Sequence, residues 1–239
     1  MVTVMINKLA IKISSFIGLL FVMTNVEANI QVSPINITLS SENKYSGSVR
    51  VFSNSDKTMY IKTSVKRIVN PGTPKQQEVP VASDDNAGVI ASPQRFIISG
   101  QGSHLVRILP INIPQKEGVY RVYISTVPSD SIDQASTNRR DAQITINVIW
   151  GVLVYVTPEH KIISFSYDNV SGKLKNTGNV HVRISAYDFC YKEDSCQWKT
   201  INRAIYPDMN YKITDKAPPH SFLFIKYQLG GAPVTLKVN

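Results

Sequence analysis

The sequence is short of cysteine, of acidic side chains and of every common catalytic signature. Of its 239 residues, two are cysteines and four are histidines, and 17 Asp or Glu stand against 26 Lys or Arg. His104, His160, His181 and His220 form neither an HExxH spacing nor a Cys–His nucleophile arrangement. There is no GxSxG elbow and no phosphate-cradling glycine loop. Asp130 and Asp133 are neighbouring carboxylates, but they lie in a polar connector that needs such residues for solvation alone. The expectation is a protein that is not an enzyme, with no catalytic residue, no metal and no cofactor. Internal repeats, low-complexity tracts and apolar stripes of helical period are also missing, which excludes solenoids and helical bundles.

The charge balance points the same way. A formal net charge of +9 suits acidic or carboxylate-bearing partners or an anionic surface. The basic residues occur singly or in doublets such as Lys66-Arg67 and Arg139-Arg140, without interleaved aromatics, so no nucleic-acid platform forms.

Residues 1–28 read as a secretory signal peptide. Lys8 and Lys12 precede an apolar run over 13–23, and Ala28 provides the small residue that signal peptidase needs. The run is shorter than the roughly 20 residues of a membrane span, so no stable membrane insertion is expected. In an oxidising compartment, Cys190 and Cys196 predict a local disulfide, with free thiols as the alternative. Without paired histidines they make a poor metal site.

What the chain does contain is strand signal. Alternating or β-branched runs cover 30–39, 47–52, 59–69, 95–98, 104–109, 119–127 and 142–156, separated by turn clusters such as Asn70-Pro71-Gly72. Seven short strands before Pro158 predict an immunoglobulin-like sandwich over 29–157. Further runs at 161–167, 172–175, 180–190, 198–201, 211–214, 222–228 and 234–238 predict a smaller β-sandwich over 158–239. The fold class is therefore all-β, with two domains, as the length also suggests.

The stretch DAQITINVIWGVLVYVTPE (141–159) holds the longest apolar run after the leader, 148–156. Nine apolar residues closed by Pro158 cannot span a bilayer, so the stretch is read as one long strand. Its second half is apolar on both faces, as for a strand buried on both sides or at a domain junction. Its first half alternates: Ile144, Ile146 and Val148 are separated by Thr145 and Asn147. That row either faces its own core or stays exposed on an edge, where a partner can use it by strand addition. An exposed apolar edge is a hazard unless it has a use, and self-association of the free protein is one way to cover it.

Several stretches together resemble the periplasmic pilus chaperones of the chaperone–usher pathway, in the alternate branch that serves colonisation-factor-type fimbriae. They are SPQRFIISG at 92–100, HLVRIL at 104–109, EGVYRVY at 117–123, VTP at 156–158, NPGT at 70–73 and the spaced cysteines. The resemblance implies two immunoglobulin-like domains in a boomerang and fimbrial subunits as clients. It also implies a periplasmic location and an outer-membrane usher as the receiving partner. The subunit-binding donor strand then falls on Ile144, Ile146 and Val148. In the better-known branch, two basic residues bind the subunit's C-terminal carboxylate; the matching positions here are Leu153 and Asn36 or its neighbours, and none is basic. Arg121, expected near 154–156 on the neighbouring strand, is the leading substitute, with a structural salt bridge as its alternative. Arg107 is second, with an ion pair to Glu117 as its alternative. The competing reading is a structural pilus subunit or two-domain adhesin, but the long seventh strand and the absence of an N-terminal donor extension favour a chaperone.

Overall fold

The computed structural model describes residues 29–81, 87–127, 148–229 and 231–238. Numbered along the chain, the strands form four sheets. The first sheet runs β1 (Ile30–Ser33), β3 (Gly47–Ser53), β8 (Ser103–Pro110) and β6 (Val89–Ser92). The second runs β2 (Asn36–Leu39), β10 (Ile149–Val156), β9 (Gly118–Thr126), β4 (Met59–Val69) and β5 (Gln77–Pro80), and β7 (Arg95–Ile98) also pairs with β4. The third joins β11 (Phe165–Asp168), β12 (Lys173–Asn176) and β15 (Asn210–Lys212). The fourth runs β14 (Lys199–Ile205), β13 (Val182–Cys190), β16 (Phe222–Leu229) and β17 (Ala232–Lys237).

Period-two alternation explains the packing. Ile30, Val32, Val49, Val51, Val106 and Ile108 of the first sheet meet Ile61, Val122, Ile124, Val152 and Val154 of the second in one core. A separate core joins Phe165, Leu174 and Ile213 to Val182, Ile184, Leu223 and Ile225. Each fully buried Val, Leu or Ile contributes about 1.5–3 kcal/mol of transfer free energy, which is what holds two sheets face to face.

Three expectations change. The strand expected over 30–39 breaks at Ser33–Pro34, and its halves β1 and β2 join different sheets. Pro34 has no N–H for a ladder, so the chain crosses between layers there. β5 and β6 are strands that the sequence pattern did not announce. The half of the long strand over 149–156 is not buried on both faces: Val152, Val154 and Val156 are buried, while the other face carries Ile149, 59% exposed. Of the expected strand over 142–156, residues 142–147 lie outside the described residues, as do the leader and the connector over 128–140.

The second core is locked by two local devices. Asn176 is fully buried; its Nδ2 donates to Val180 O at 2.9 Å and Ile205 O at 2.8 Å, and its Oδ1 accepts from the Gly178 amide at 2.9 Å. Gly178 must be bare, because a Cβ there would lie 2.2 Å from Ile162 O. Cys190 and Cys196 form a disulfide with a Cα–Cα distance of 5.2 Å.

Candidate functional site

β10 is positioned by its two neighbours, and they do not cover it equally. β9 pairs with it along its whole described length, Ile149↔Ser125 through Val156↔Gly118. β2 runs parallel on the other side but pairs only with Leu153–Val156, after the Leu153 amide donates to Ile35 O at 2.9 Å. By the two-residue alternation, the Gly151 and Ile149 amides point to the same side as that of Leu153. No strand of the described residues stands beside them. Among the described residues the upstream half of β10 is thus an open sheet edge, made by the crossing of the first strand into the other sheet.

The core-facing row of β10 leaves its own core further upstream, at Val148. Val152, Val154 and Val156 are at most 1% exposed, and Trp150 is half-buried, its Nε1 donating to Ile30 O at 3.0 Å. Val148, next in that row, is 38% exposed. Ile144 and Ile146 lie outside the described residues.

On the opposite face, direct register places Asn36, Leu153, Arg121 and Lys66 abreast on β2, β10, β9 and β4. Arg121 therefore faces Leu153, one residue short of the expected 154–156. Its guanidinium donates to Glu78 on β5, and the Tyr123 hydroxyl donates to the same carboxylate. Burial and the Glu78 carboxylate raise the Tyr123 hydroxyl above its ordinary pKa. The salt-bridge alternative for Arg121 is thus present, in a setting where its side chain is 32% and that of Glu78 is 19% exposed. Gly151 makes room for this arrangement, since a Cβ there would lie 2.9 Å from Arg121 Cδ. Arg107 is elsewhere: it is exposed on β8 in the first sheet, opposite Ser48 and Ser92. Its expected ion pair with Glu117 is absent, because Glu117 Oε2 is held by His181 Nδ1 at 2.6 Å and the His181 amide at 2.9 Å.

Sequence reasoning missed the joint between the two cores. The His181 ring stacks between Tyr155 of β10 (4.7 Å) and Tyr206 (5.2 Å), and the two tyrosine hydroxyls are 3.3 Å apart. Burial, with the Tyr155 hydroxyl second, raises the Tyr206 pKa. Asn179 reaches Gln115 O at 3.3 Å and Lys116 pairs with Asp208 at 2.6 Å. No periodicity marks such contacts, which join β10 and loops far apart in the chain.

The only cluster of metal-type ligands among the described residues is Asp188, Cys190 and Cys196, and both thiols are consumed in the disulfide. No helix among the described residues is long and apolar enough to cross a membrane.

Two immunoglobulin-like sandwiches with an open strand edge define a class: a binding protein suited to adding a strand from a partner. Comparison with known proteins narrows it. The chain is 32% identical over 222 residues to an Escherichia coli protein that carries the name of a CFA/I fimbrial subunit, with 90% of this chain and 92% of that one covered. The class 5 fimbriae chaperone CfaA superposes with a TM-score of 0.72 at 30% identity, over 88% of this chain and 99% of that one. A chain of a chaperone–tip adhesin complex from CFA/I fimbriae biogenesis matches with a TM-score of 0.73 at 31% identity, over the same shares. No protein-family model matches. The first relative has the name of a structural component, yet CfaA is a chaperone matched along nearly its full length, and it decides between the two readings. The chain belongs to the fimbrial assembly chaperones of the chaperone–usher pathway. That family is non-enzymatic, and so is this protein.

Proposed function

We propose that this protein acts in the periplasm, as two domains over 29–157 and 158–239 after loss of the leader 1–28. There it completes fimbrial subunits by lending them the strand that leads into β10, and hands them to an outer-membrane usher. The observation that carries this reading is made at β10: among the described residues its edge has no β2 partner upstream of Leu153, and further upstream, at Val148, its core-facing row emerges. A row that continues through Ile146 and Ile144 has the period needed to fill a groove in a client sandwich. Each side chain buried there would contribute about 1.5–3 kcal/mol before ordering costs.

Arg121 remains the proposed anchor for a client carboxylate, reached by exchange with Glu78, and Arg107 is set aside because it sits on the other sheet. The test is co-expression with a cognate subunit. Ile144→Asp, Ile146→Asp and Val148→Asp should each abolish recovery of an equimolar complex while the chaperone itself stays folded; full recovery with all three would overturn the donor-strand reading.

A further inference from the structure

The outer face of the second sheet carries an unneutralised basic patch beside the open edge. Register fixes its rows: Arg95, Lys62, Ser125 and Ile149 stand abreast, then Ser64, Tyr123 and Gly151, then Lys66, Arg121, Leu153 and Asn36. Residues directly paired across strands point to one side. The alternating residues Ile61, Thr63, Val122 and Ile124 are buried on the other side, so the cations are on the outside. Arg121 is answered by Glu78. Lys62, Lys66 and Arg95 are exposed and form no ion pair among the described residues; Lys66 only overlies the Tyr123 ring, at 5.5 Å. Glu78 is the one acidic side chain that the described strands place on this face.

We infer that Lys62, Lys66 and Arg95 form an electrostatic docking face for an acidic surface of the bound fimbrial client. The inference rests on the donor-strand reading. Strands are about 4.8 Å apart, so β4 lies about 10 Å from β10. A standard interface of about 800 Å² per partner is roughly 30 Å across, so these cations fall on the rim of whatever is added at the β10 edge. Rim charges act on encounter: they raise the association rate and make it salt-dependent, with little effect on dissociation. A second copy of this chain fits the face poorly, since it carries the same formal charge of +9.

The test uses the fimbrial protein that co-purifies with the wild-type chaperone, unfolded in urea and diluted into free chaperone, with association followed by stopped-flow fluorescence. For the wild type the rate should fall about tenfold or more from low to high salt. The triple variants K62Q/K66Q/R95Q and K62E/K66E/R95E should associate progressively more slowly at low salt. They should converge on the wild-type rate at high salt, with unchanged dissociation. Equal, salt-insensitive rates for all three proteins would overturn the docking face while leaving the donor strand standing. Normal client association with failed pilus assembly would also overturn it and assign the face to the usher. Loss of complex in Ile146→Asp, read beside these, reports on the donor strand alone.

Discussion

Glu78 shows how one side chain changes the meaning of another. Sequence alone offers Arg121 as a cation beside the last strand, but with Glu78 and Tyr123 in place it is already hydrogen-bonded. In the proposed anchoring role, a client carboxylate would compete with an internal one. We predict that Arg121→Ala lowers the yield of client complex, and that amidating the client's C-terminus causes no further loss in that variant; additive losses would argue against direct pairing. Asn176 is a purely structural counterpart. Asn176→Ala removes the Nδ2 hydrogen bonds to the Val180 and Ile205 carbonyls, each loss costing about 1–3 kcal/mol when buried, while the Gly178 amide keeps Ser164 O at 3.1 Å. Urea unfolding of the variant should show a loss of at least about 2 kcal/mol. Asp215 sets a pH dependence. Lys199, first, and Tyr187 hold its carboxyl below the ordinary range. A depressed folded pKa gives stability that is present above the unfolded value and lost as pH falls through the folded one. Asp215→Asn should therefore flatten the acid limb of the stability profile and leave it unchanged in shape near neutrality, as thermal melts across pH would show.

At the level of elements, β10 does two jobs because its neighbours end at different places. Its downstream half is clamped between β2 and β9, and its upstream half has β9 alone. The hydrophobic pattern over 144–156 predicted one strand that changes character at Val148; the core-facing row becomes exposed at Val148, while pairing with β2 starts only at Leu153. The same pattern overestimated burial, because an apolar residue can face outward from a sheet: Ile149 does so beside Gly151, where Arg121 lies across. The disulfide is a second element-level device, fastening the end of β13 to the segment leading into β14. Closing so short a loop is worth about 2–3 kcal/mol, so the double variant Cys190→Ser/Cys196→Ser should lose about that much in denaturant unfolding. A loss near zero would mean that the fourth sheet holds this segment unaided.

For the whole molecule, the consequential contact is the joint at His181. Tyr155 belongs to β10, so the ring stack with His181 and Tyr206 connects the proposed client strand to the second sandwich. Glu117, with a side chain 2% exposed, fixes the imidazole. Replacing His181 with Ala removes both the stack and the imidazole partner of a buried carboxylate, which keeps only the backbone amide of residue 181. Small-angle scattering of that variant should report a broader distribution of domain orientations, with both sandwiches intact by circular dichroism; an unchanged profile would show that the remaining contacts suffice.

Period-two patterning and turn chemistry determined that this chain is all-β, with two sandwiches. These are local signals, and local physics writes them into sequence. The paired cysteines were equally legible. The choice between a core-facing row and an open edge was not, because it depends on where β2 starts after the chain crosses sheets at Pro34. Nor were Glu78 as the partner of Arg121, or Glu117 as the partner of His181 rather than Arg107. Those pairings join residues 43 and 64 positions apart. Only the register of strands brought together from distant parts of the chain decides which charge meets which, and which cations are left facing out.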